Sequence, residues 1–157
     1  MITFKTGLSK KEKSQVMGLI SEFTDVYGDF YITKNNLRLF IKENINVLFE
    51  ALQAGDKIAY CEEGIAVVTG FSDKMPRKYV KLLTKNNDIA EKLLQIISWN
   101  LDCDLYIKIK KNNPLKGILV KNGFQFLGGR GKEILLIRKK GDKNVSRNQR
   151  KNTSSSR

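Results

Sequence analysis

Histidine is absent from this chain. That absence removes serine-type and cysteine-type triads in their usual histidine form, and most zinc sites. It leaves open acyl transfer by direct attack, which can run on a carboxylate, a water and a tyrosine. Cysteine is scarce: only Cys61 and Cys103 occur. Each lies beside strand-like residues, so reduced, structural side chains are expected rather than a secreted disulfide framework. No apolar run reaches the roughly 18 residues a membrane-spanning helix needs. Met1 to Glu12 is charged and lacks the apolar core of a signal peptide. The expectation is a protein that is not secreted and does not engage a membrane, with no metal, in a cytoplasmic setting.

The 157 residues suit one domain, and with 41% hydrophobic and 29% charged residues they can enclose a core without staples. Positive charge dominates: the formal net charge is +13. Such a balance points to nucleic acid or another polyanion. It has a second account, because a chain rich in Lys, Asn and Ile is also what AT-rich coding sequence produces.

Apolar residues recur at helical spacing from Ser9 to Tyr27, where Ser9-Lys10-Lys11-Glu12 fits a capping box and Gly28 supplies a stop. A second helix is expected over Asn36 to Ala54, ended by Gly55. The period then changes. Lys57 to Cys61 and Ile65 to Gly70 read as a hairpin, and Lys78 to Thr84 as a further strand. Asp88 to Leu101 is a third helix with an acidic first turn. Asp104 to Lys110 alternates as a half-buried strand does. Asn113-Pro114 opens a short fourth helix, with Asn113 as its cap, and Lys121-Asn122-Gly123 closes it. Phe124 to Leu127 and Glu133 to Arg138 form a last hairpin, with Gly128 to Gly131 read as its flexible turn.

Residues 1–138 are thus expected to be one domain. Residues 139–157, with seven cationic side chains against Asp142 and one large apolar residue, Val145, are expected to be a disordered basic tail. Nucleic acid is one partner such a chain could take. Tyr106, Lys108, Lys110 and Lys111 form a basic, partly aromatic stripe, and Lys139, Lys140, Arg147, Arg150 and Lys151 carry charge in the tail. Asp29, Phe30, Tyr31, Trp99 and Asp102 read as core edges and caps, without chemistry.

The element order, with a short first strand near Ile2 to Lys5, resembles the GNAT acyltransferases. The stretch Leu105 to Ile137 carries most of the likeness: a strand, Asn112-Asn113 at its end, a short helix, then Gly123-Phe124 starting the next strand. The resemblance implies an α/β fold, a mixed twisted sheet of about six to seven strands flanked by about four helices. It also implies that acetyl-CoA, if bound, lies where the fourth and fifth strands splay apart, with its pyrophosphate on the turn opening the third helix. Carried over position by position, the cofactor contacts would be Lys85, Asn87, Ala90, Asn112 and Asn113. Three positions depart from the family pattern. Asp88 stands at a glycine position of the phosphate turn, Leu119 stands where a tyrosine acid is frequent, and Lys78 to Thr84 holds no carboxylate base. Tyr106 and Glu133 are the substitutes considered for that base.

The expectation is a degenerate GNAT-fold protein, non-catalytic or only weakly catalytic, acting as a binding or structural component, with no cofactor unless it is active, when acetyl-CoA would serve. Its composition and size are similar to those of GNAT-like virion-associated proteins of tailed phages, which would place it in the host cytoplasm or the virion, within a larger assembly. The alternatives are an acetyl-CoA-dependent N-acetyltransferase with a divergent site and a nucleic-acid-binding module.

Overall fold

The computed structural model describes residues 1–23, 26–29, 31–32, 55–71 and 77–141, with only the backbone of 31–32. The helix expected over 36–54 and the tail residues Arg147, Arg150 and Lys151 lie outside the described residues.

The described elements are, in chain order, β1 (Thr3–Thr6), α1 (Lys10–Ile20), β2 (Val26–Gly28), β3 (Tyr31–Ile32), β4 (Lys57–Cys61), β5 (Gly64–Thr69), β6 (Lys78–Thr84), α2 (Asn87–Asn100), β7 (Leu105–Lys110), α3 (Lys116–Lys121), β8 (Gln125–Arg130) and β9 (Glu133–Arg138). The expected mixed α/β fold is what they form. Seven strands run in the order β1-β4-β5-β6-β7-β9-β8, and β2 and β3 branch from β6. Of the neighbouring pairs, β6 and β7 alone run parallel, as a strand–helix–strand crossover through α2 requires.

Strand alternation divides the core into two layers. Val80, Leu82, Leu105, Ile107 and Ile109 face α2, where Leu93, Leu94 and Ile97 are fully buried at helical spacing. Ile58, Ile65, Val67 and Leu83 face the other way, against Val16 and Ile20 of α1. The capping box at α1 forms as its sequence requires: Glu12 N donates to Ser9 Oγ over 3.1 Å, and Ser9 N donates to Glu12 Oε1 over 2.9 Å. Glu12 also receives Lys5 Nζ at 2.8 Å and the Tyr60 hydroxyl at 3.1 Å, so one carboxylate ties β1 and β4 to the start of the helix.

Three sequence expectations need correction. First, α1 ends at Ile20, not Tyr27. Ser21 turns back, its hydroxyl donating to the Gly18 carbonyl and its N–H to Met17, which closes the last turn. Tyr27, which continues the helical spacing, is instead in a strand with Val26 and Gly28. Second, Gly128 and Gly129 belong to β8, next to a bulge between Phe126 and Gly128. The turn proper is at Gly131, whose φ of 61° suits glycine. Third, α3 starts at Lys116 with Leu115 as its cap residue; Asn113 stands two residues earlier, where its Oδ1 accepts from Leu115 N and its Nδ2 donates away from the helix, to the Gly28 and Asp29 carbonyls.

Candidate functional site

β6 and β7 pair only at their beginnings, Lys78 with Leu105 and Tyr79 with Tyr106. Beyond these two pairs they diverge, leaving the β7-facing edge of β6 without β7 as its partner from Val80 onward. Such a splay is where the GNAT resemblance locates an acyl-CoA arm. In this chain it holds a strand of the chain itself. β2 lies antiparallel to β6, with Tyr27 opposite Thr84 and Gly28 opposite Leu83, and its other edge pairs with β3.

Side chains lock this insertion. The Thr84 hydroxyl donates to the Tyr27 carbonyl. Leu82 N donates to Asp29 Oδ1 at 2.7 Å. From the β7 side, Asn113 Nδ2 donates to the Gly28 carbonyl at 2.8 Å and to the Asp29 carbonyl at 3.3 Å, while Asn113 Oδ1 accepts from Leu115 N at 2.8 Å. One buried amide therefore holds β2 and orders the approach to α3 together. Val26 is fully buried among the residues under α1, which anchors the near end of β2. The approach at Gly28 is very close: a Cβ there would lie 2.2 Å from the Leu82 carbonyl oxygen. Across the opposite edge of β6, a Cβ on Gly64 would lie 2.9 Å from Leu83 O. The end of β6 is thus pressed between two glycines that allow backbones to approach.

Asp29 is the notable titratable group here. Burial raises its carboxyl to about 6, and the Leu82 N–H and the Lys81 charge offset part of that rise. It lines an open cavity of about 190 Å³ together with Thr69, Tyr79, Val80, Lys81 and Lys108. The sequence reading assigned Asp29 no chemistry. The signal for it was present in Val26-Tyr27-Gly28-Asp29, two β-favouring residues followed by two turn residues, but an extension of the helical spacing absorbed it.

The residues carried over as cofactor contacts fall at the C-terminal ends of the two splayed strands, with β2 between them. Lys85 is exposed and its N–H binds the Glu63 carbonyl at 2.8 Å. Asn86 caps α2 by accepting Ile89 N at 3.0 Å. Asn87 opens that helix, and its Oδ1 is buried with no hydrogen-bond partner among the described residues. Ala90 is fully buried and Asp88 is exposed in the first turn. On the other side Asn112 is exposed, whereas Asn113 is buried. Leu119 is a core residue. Of the two substitute bases, Glu133 lies opposite Lys110 at the far end of β7, and Tyr106 sits beside Tyr79. Of the basic residues, Lys108 and Lys110 project from β7 into solvent, while Lys139 pairs with Asp104 at 3.6 Å and Lys140 N binds Asp104 Oδ1 at 2.9 Å.

No family model and no curated protein sequence matches this chain. Solved structures do match it. It is similar to the PaiA N-acetyltransferase of Thermoplasma acidophilum in complex with coenzyme A, at 14% identity and a TM-score of 0.59 over 88% of this chain and 99% of that one. It is similar also to an N-acetyltransferase from Staphylococcus aureus Mu50, at 16% identity and a TM-score of 0.57 over 88% and 97% of the two chains. RimL, a ribosomal alpha-N-protein acetyltransferase in its apo form, matches at 14% identity and a TM-score of 0.52 over 87% and 90%. At these identities the likeness concerns the fold: the chain has the GNAT fold.

Proposed function

We propose that this is a GNAT-fold protein whose acyl-CoA cleft is filled by its own chain and which acts by binding rather than by acyl transfer. The observation that carries this reading is β2. The edge of β6 that the splay would leave for a cofactor arm is taken at Leu82, Leu83 and Thr84 by Asp29, Gly28 and Tyr27. Asn113, one of the carried-over cofactor contacts, donates to β2 instead. Asp88 adds an electrostatic argument, since a carboxylate in the first turn of α2 competes with a pyrophosphate for the same N–H groups and helix dipole. A place in a larger assembly, such as a phage virion, belongs to the same proposal and rests on composition.

Calorimetric titration with acetyl-CoA tests it. Absence of heat at millimolar cofactor is the expected result, and binding at micromolar concentration would overturn the reading. One observation favours the alternative, an acetyl-CoA-dependent N-acetyltransferase. Asp29 is a buried carboxylate raised to about 6 beside an open cavity, a setting suited to a general base. That alternative requires β2 to leave the splay when the cofactor enters, and cofactor-dependent release of free thiol from acetyl-CoA in the presence of an amine would support it.

A further inference from the structure

On the side of the sheet that faces α1, the paired beginnings of β6 and β7 present a second feature. Tyr79 and Tyr106 are cross-strand neighbours in the parallel register, with ring centroids 5.8 Å apart and planes inclined at 45°. Both are partly exposed. Each carries a cation on its ring: the Arg77 guanidinium lies 4.7 Å from the Tyr106 centroid, and Lys108 Nζ lies 5.3 Å from that of Tyr79. Strand alternation sends Lys81 and Lys110 to the same face, and Arg77, Lys81, Lys108 and Lys110 are all exposed. Among the described residues two carboxylates adjoin it: Asp29, which is buried, binds Leu82 N and lines a cavity with Tyr79, Lys81 and Lys108, and Glu133, which stands opposite Lys110 at the far end.

We propose that this face binds single-stranded nucleic acid. Two partly exposed aromatic rings on adjacent strands can stack successive bases. Four cations surrounding those rings supply the phosphate contacts. The cation–ring contacts do not oppose this, because they hold the rings in place and are made by long side chains on the surface. When a base stacks, Arg77 and Lys108 can exchange a ring for a phosphate oxygen, a stronger partner for either cation. A duplex offers no exposed base faces, so the same site favours a single strand. The proposal does not depend on whether the neighbouring splay admits a cofactor, because Tyr79 and Tyr106 lie where β6 and β7 are still paired.

The test is fluorescence anisotropy of the full chain with short mixed-sequence DNA and RNA oligonucleotides, over a range of salt. Binding is expected to weaken with salt, with log K falling by about 0.7 per phosphate contact for each tenfold increase in salt. Tyr106→Ala should weaken binding by about fivefold to a hundredfold, the range of one lost base stack. Tyr106→Phe should bind as the unaltered chain does, because it keeps the stacking face. Lys108→Gln, at an exposed position where folding is not at stake, should reduce the salt slope by about 0.7. Residues 139–157 contain no aromatic side chain, so a loss at Tyr106 cannot come from them. Three outcomes would each overturn the proposal: Tyr106→Ala folding normally and binding like the unaltered chain, Lys108→Gln leaving the slope unchanged, or a duplex of the same sequence binding equally well.

Discussion

Gly28, Asp29 and Asn113 decide what the splay between β6 and β7 contains, and each acts through a different property. Gly28 contributes the absence of a side chain, Asp29 an acceptor for a strand N–H, and Asn113 two donors and an acceptor in a buried place. Asp29 also makes the arrangement sensitive to pH. Its folded pKa, about 6, is above the ordinary value of 3.8. The folded chain therefore holds the proton more tightly than the unfolded chain, and stability falls as pH rises through that window. A shift of this size corresponds to about 3 kcal/mol at most. Asp29→Asn keeps an oxygen for Leu82 N without the charge. It should be more stable than the unaltered chain at pH 7, with the difference vanishing near pH 4. Urea denaturation across that range measures it, and equal stabilities at pH 7 would sink the assignment. Glu12 works in the opposite sense. Lys5 and the Ser9 N–H hold it down to about 2, so its contribution is present above 4.5 and is lost only as pH falls toward 2.

Among the elements, β2 determines whether the GNAT-like cleft is open. It is three residues long, too short to be stable by itself, and it persists because β6 offers an edge and α1 covers Val26. Gly28→Ala puts a methyl group into the Leu82 carbonyl. We expect β2 to leave the splay in this variant, since a backbone oxygen on a central strand cannot move aside. Amide exchange at Leu82 should then accelerate by an order of magnitude or more, while Leu93 and Ile107 keep their protection. Unchanged exchange at Leu82 would show that β2 is not seated as described. The other elements follow their sequences closely: the capping box of α1, the buried stripe of α2 and the alternation of β7 were all readable before the fold was known. The first helix was read too long because Phe23 and Tyr27 happen to continue its spacing. A strand of three residues has no period of its own to announce it.

For the whole molecule the dominant quantity is the net charge of +13. Like charges at this density repel one another in the compact state more than in the extended one. Salt shortens the Debye length from about 30 Å at 0.01 M to about 8 Å at 0.15 M. The thermal midpoint should therefore rise by several degrees over that range in sodium chloride. A midpoint that falls would mean that ion pairs such as Lys5–Glu12 and Lys121–Glu91 outweigh the repulsion.

The sequence by itself determined the order of elements from β4 onward, the core faces of α2 and β7, the capped start of α1 and the excess of positive charge. All of these are local, or sums over residues, and periodicity and composition report them directly. Tertiary structure alone decided the rest: that β6 and β7 part after two residue pairs, that β2 enters the gap, and that Tyr79 and Tyr106, 27 positions apart in the chain, stand side by side. Those facts depend on register between distant segments. Register is set by which edges, glycines and buried amides meet in space, and no spacing along one strand records it.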